Sequence, residues 1–119
     1  MKLPEGIERY EVLDLMKVLD RLDRMGARSL TEALEEADVA DDYFDSILLK
    51  LKMLTARKTK RWAEGELDKG DFLVFYEVLS YLWERDSRDL VRVFERLEIA
   101  PEHFESVMAK LSRAIDGMS

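Results

Sequence analysis

The chain has 119 residues, of which 47% are hydrophobic and 38% charged, and its net charge is −7. That hydrophobic share excludes a disordered tail, and the length allows one core but not two comfortable ones. The acidity argues against broad affinity for nucleic acid, because phosphate is repelled on average, and the absence of Cys removes disulfides and thiolate metal sites.

The start, MKLPEGIERYE, lacks the apolar stretch of a secretory signal. No run of 18 or more apolar residues follows anywhere. The expected location is therefore cytoplasmic, with no membrane span. Val12, Leu15, Val18, Leu19 and Leu22 recur at helical spacing and predict a first amphipathic helix. Met25-Gly26 ends it, since Gly can take the left-handed conformation that closes a helix. Ser29-Leu-Thr-Glu32 matches a capping box and predicts a short second helix, with Leu30, Leu34 and Ala37 inward. After the turn Asp38-Val39-Ala40, a third helix starts near Asp41 and shows Phe44, Ile47, Leu48, Leu51 and Leu54 on one face.

Sixty residues on, the pattern returns: VADDYFDSILLKL at 39–51 is echoed by IAPEHFESVMAKL at 99–111. The match runs without a gap from Glu11/Asp71 to Leu51/Leu111 and keeps mainly apolar positions, such as Leu19/Leu79, Leu22/Leu82 and Phe44/Phe104, along with Lys50/Lys110. This predicts two tandem three-helix repeats. Repeat 1 covers about 10–56, a basic linker about 57–70, and repeat 2 about 71–116, all within one all-α domain of about six helices spanning 1–119. In repeat 2, Asp71 or Gly70 is expected to cap the first helix and Ser87 the second. Pro101 suits the first position of the third helix, where its missing N–H costs nothing.

The copies differ most in their first helix, which in repeat 2 reads FLVFYEVLSYLW. Asp14, Arg21 and Asp23 become Val74, Tyr81 and Trp83. A helix apolar nearly all round is expected to be buried all round, either against repeat 1 or in a homodimer. Val74, Tyr76, Tyr81 and Trp83 are therefore the candidate protein interface, because Tyr and Trp bury large area with few rotors.

The order short helix, tight turn, longer helix in LTEALEEADVADDYFDSILLKL resembles a helix-turn-helix unit, with Ala33, Ala37, Val39, Phe44 and Ile47 near the positions that motif keeps apolar. Such a resemblance would imply DNA binding by the third helix. The chain departs from it at Leu34, where a small residue is usual, and at Asp38, where Gly is usual. The would-be reading helix begins with Asp41, Asp42, Tyr43 and Asp45, and its echo with Pro101, Glu102, His103 and Glu105. Carboxylates there repel phosphate, so the pattern is read as helix packing.

Positive charge gathers at Lys50, Lys52, Arg57, Lys58, Lys60 and Arg61, beside Trp62. This basic segment, 50–62, supports the alternative function of accessory nucleic-acid binding, with Arg57, Lys58, Lys60, Arg61 and Trp62 as contacts through phosphate pairing and base stacking. The simpler reading is that the bases favour the negative end of a long helix.

No catalytic, cofactor-binding or metal residues are predicted. His103 is the only histidine, and one His beside Glu102 and Glu105 makes a poor metal set. Asp38, Asp41, Asp42 and Asp45 cluster without the glycine of a calcium loop. Ser46 has no adjacent His, so no nucleophile pair forms. The sequence contains no Asn and no Gln, a bias of thermophilic proteins. The expected function is that of a non-enzymatic interaction or structural module, needing no cofactor, with an unidentified protein partner and a homodimer as one option.

Overall fold

The computed structural model describes residues 6–55, 67–85 and 88–118. Among them are six helices and no strand: α1 (Arg9–Arg24), α2 (Arg28–Glu36), α3 (Asp41–Thr55), α4 (Lys69–Glu84), α5 (Arg88–Leu97) and α6 (Pro101–Asp116). The radius of gyration is 13.5 Å, the value expected of one compact body of this length, about 13.5 Å. None of these helices is long and apolar enough to cross a membrane.

The helices form where the 3.6-residue stripes lie. Val12, Leu15, Val18, Leu19 and Leu22 of α1 are buried, as are Phe72, Phe75, Val78, Leu79 and Leu82 of α4. Phe44, Ile47, Leu48 and Leu51 of α3 match Phe104, Val107, Met108 and Leu111 of α6, every one buried. The side chain of Leu54 and the cap expected at Ser87 lie outside the described residues. α1 packs on α3 and on α5, while α4 packs on α6 and on α2. Each half thus hands its short helix to the other half's first helix.

Turn chemistry sets the angles. Gly26 takes φ +64° just after α1, the left-handed conformation expected of it. Asp38 and Glu98 occupy the same region, at φ +55° and +57°, in the turns that follow α2 and α5. These are sites where glycine would carry no strain, and Asp38 is the position flagged above as departing from the helix-turn-helix pattern. Pro101 opens α6 as expected.

Three expectations are corrected. Ser29 does not cap α2, whose N-cap is Ala27 with no side-chain bond; the Ser29 hydroxyl instead donates to Asp89 Oδ2 at 2.8 Å. α4 is capped by Asp68, not by Asp71 or Gly70: the Asp71 N–H donates to Asp68 Oδ1 at 2.8 Å, and the Asp68 N–H to Asp71 Oδ2 at 3.1 Å. Nor is α4 buried all round. Its stripe is buried, Val74, Tyr76 and Tyr81 are half-buried on the flanks, and Leu73 and Trp83 are exposed. Two neighbouring helices cover the stripe and its flanks but leave the remaining side open.

Candidate functional site

Trp83 stands on the last turn of α4 and is 36% exposed. Its indole lies against two core rings. It stacks on Phe104 with centroids 5.2 Å apart and tilts against Phe94 at 6.3 Å, while Phe94 and Phe104 meet at 4.8 Å. Offset and tilted ring pairs of this kind hold their geometry by quadrupole complementarity. The indole is therefore held by core rings while about a third of the residue stays open to solvent.

Around it runs an open groove of about 640 Å³. Trp83 forms one wall; α5 supplies Leu90, Val91, Phe94 and Glu95; the α5–α6 turn supplies Glu98, Ile99 and Ala100, and Pro101 closes the end. The amphipathic spacing of α5 explains the lining. Leu90, Val93 and Phe94 turn into the core, which leaves Val91 and Glu95 on an adjacent strip one turn apart, while Glu98 joins them from the left-handed turn that follows. Val91 is 48% exposed. On the far side of Trp83 a smaller groove of about 230 Å³ is lined by Tyr76, Ser80, Glu84, Glu105, Met108 and Ala109.

A third groove, of about 220 Å³, occupies the matching place in the first half. Its lining includes Asp23, Leu30, Thr31, Leu34 and Asp41, which stand sixty positions before Trp83, Leu90, Val91, Phe94 and Pro101 of the larger groove, and Asp45, sixty before Glu105 of the smaller one. One site is apolar and aromatic, the other acidic. The Asp23 carboxyl is pushed above its ordinary value, first by partial burial and then by Asp45, Asp20 and Asp41, with Lys52 opposing. Among the described residues no group of His, Asp or Glu is placed to hold a metal ion.

Charge is buried at two related points. Glu11 and Asp71 are the only buried acidic side chains among the described residues. Each reaches back to the N–H of its helix cap: Glu8 N–H donates to Glu11 Oε1 at 2.9 Å, as Asp68 does to Asp71. Each also takes a lysine from the opposite half. Lys110 Nζ lies 2.7 Å from Glu11 Oε2, and Lys50 Nζ 3.3 Å from Asp71 Oδ2. Burial alone would raise the Glu11 carboxyl, but the bonds from Lys110 and Glu8, with further help from His103, hold it below the ordinary 4.5. The Tyr43 hydroxyl donates to Asp71 Oδ1 at 2.8 Å. Burial and that charged acceptor push the phenol up to about 12. His103 Nε2 lies 3.1 Å from Asp14 Oδ2, so the one histidine faces a carboxylate of α1.

Of the four interface candidates, Tyr76 and Trp83 come together along the smaller groove. Val74 and Tyr81 pack half-buried on the core, and Arg85 sits 4.8 Å over the Tyr81 ring. Arg57, Lys58, Lys60, Arg61 and Trp62 lie outside the described residues. The two remaining bases of that segment are engaged within the fold, Lys50 with Asp71 and Lys52 with Asp20. Sequence reasoning missed Val91, Phe94, Glu98 and Pro101, which enter the site only once α5 folds back beside Trp83. It also missed the partners of Lys50 and Lys110, although the identity of those two lysines was visible. No known protein family, curated protein or solved structure matches this chain.

Proposed function

We propose that the protein is a non-enzymatic interaction module whose working surface is the groove beside Trp83. One observation carries the reading: a tryptophan stacked against a core ring remains exposed at the wall of an open, mainly apolar groove. An anchor already held in place loses little entropy when a partner covers it, and Trp is the residue most enriched where binding energy concentrates. The experiment is photo-crosslinking in cells of the source organism, with the reactive residue at Val91 and, as control, at Thr31 in the matching first-half groove. The reading expects a discrete protein adduct from Val91 and none from Thr31. Equal labelling from both positions, or none, would contradict it. Adducts to RNA or DNA would favour the accessory nucleic-acid reading instead.

We also infer that the chain arose by duplication of a three-helix unit, with repeats 1 and 2 within one domain. Three features support this. The helix starts Arg9/Lys69, Arg28/Arg88 and Asp41/Pro101 are 60 residues apart. The left-handed turn residues Asp38 and Glu98 share that offset. The two lysine–carboxylate pairs are exchanged between halves, and Ser29 bonds the residue 60 positions ahead of it. Such reciprocity is the mark of a two-fold relation. A crystal structure in which the backbones of 9–55 and 69–116 fail to superpose would remove the inference.

A further inference from the structure

The groove beside Trp83 carries a charge pattern that its apolar lining does not require. Glu95 and Glu98 stand on its lining, and Glu84 and Glu105 line the smaller groove across the indole. Among the described residues none of these four carboxylates has an ion-pair partner. The basic side chains of α5, Arg88, Arg92 and Arg96, run beside Glu95 on the helix surface, but none lines either groove. The result is an aromatic and aliphatic floor between two pairs of acids that make no ion pair.

We infer that this site docks a basic amphipathic segment of a partner protein, a bulky apolar side chain seated against Trp83 and Val91 with flanking Lys or Arg on the four carboxylates. The inference rests on the reading of the groove as a docking surface and adds the chemistry of its occupant. Charge complementarity selects that occupant over the others. A second copy meeting this face across a two-fold axis would oppose the same four carboxylates to themselves, and like charges brought together repel. An anionic membrane or a nucleic acid would meet the same repulsion. A neutral apolar segment would fill the floor but leave all four acids without partners. The matching groove of the first half shows the contrast. There Asp23 and Thr31 stand in place of Trp83 and Val91, so acids are present but the exposed aromatic wall is missing. That site lacks the apolar anchor the proposed occupant needs.

The test uses the full chain carrying Trp62→Phe, so that Trp83 is the one remaining tryptophan. Its fluorescence is followed while a helical Leu/Lys peptide is added, in parallel with a Leu/Glu peptide of the same pattern and with polylysine. The expected result is a saturable blue shift with the Leu/Lys peptide alone, weakening as salt rises from about 0.05 to about 0.5 M. Val91→Asp, which changes an exposed rim residue without disturbing the ring stack, is expected to abolish it. The pair Glu95→Lys and Glu98→Lys is expected to weaken binding by about tenfold or more. Thr31→Asp, in the other groove, is expected to change nothing. Equal binding of the Leu/Lys and Leu/Glu peptides, both lost in Val91→Asp, would keep the docking surface and overturn its basic partner. Leu/Lys binding untouched by Val91→Asp, or matched by polylysine, would mean attraction to acidic surface in general and overturn both. No response to either Leu peptide would also overturn the proposal.

Discussion

Glu11→Gln tests the buried pairing between the halves. The wild-type carboxylate accepts two hydrogen bonds, from the Glu8 N–H at 2.9 Å and from Lys110 at 2.7 Å, in a position 1% exposed. Gln keeps the first through its amide oxygen but turns an NH₂ group toward an ammonium. One charge-assisted bond is lost and a buried donor is left without an acceptor, a combination worth about 1.5–3 kcal/mol. For a chain of this length each kcal/mol moves the midpoint by about 3–5 °C, so the expected fall in Tm at pH 7 is about 5–15 °C. The pH dependence carries the sharper test. The folded carboxyl lies below its ordinary 4.5, so its contribution is present above 4.5 and is lost as pH falls through the folded value. Thermal melts followed by circular dichroism from pH 7 downward should show the two proteins converging in that acid range. Adding Lys110→Met to Glu11→Gln should cost little more, since the pair is already broken. Equal midpoints at pH 7, or a gap that persists unchanged well below pH 4.5, would refute the reasoning.

Three other outcomes follow from the same geometry. One phenol should titrate near 12 by ultraviolet absorbance, and Tyr43→Phe should remove that step; because the phenol is raised, the stability it lends is present below pH 10 and lost as pH climbs through 12. Asp23→Asn should stabilise the protein by about 0.2–0.5 kcal/mol at pH 7, the scale of exposed like-charge pairs. A raised carboxyl costs stability only where it is charged, so that gain should vanish in denaturant melts taken below the ordinary value of 3.8. Gly26→Ala should destabilise by about 1 kcal/mol. Its φ is +64° and an added Cβ meets nothing within 4 Å, so the whole effect is backbone strain, read as a lower urea midpoint with unchanged slope.

Helices and core were legible in the sequence wherever burial follows a 3.6-residue stripe. Leu15, Leu19 and Leu22, or Phe104, Val107 and Leu111, announce their faces by spacing alone. Local polar chemistry was less legible. Ser29 and Glu32 satisfy a capping pattern, yet Ser29 faces Asp89 across the molecule, and a long-range partner is invisible to a local rule. The lysines at 50 and 110 stood out as identical, but their carboxylates lie 21 and 99 residues away. Trp83 was recognisable as an anchor because it replaces Asp23 of the first half, and Tyr76 because it lies on the same flank of the apolar stripe. The rest of the groove was not, because Val91, Glu98 and Pro101 become neighbours only through the left-handed turn at Glu98 and the contact of Phe94 with Trp83.

The most direct test of the docking account is chemical-shift mapping on the isotope-labelled full chain titrated with the Leu/Lys peptide. The account predicts saturable shifts at the Trp83 indole N–H and the amides of Val91, Glu95, Glu98 and Ile99, with Asp23, Thr31 and Asp41 undisturbed. Shifts centred on those first-half residues, or spread evenly over the acidic surface, would contradict it.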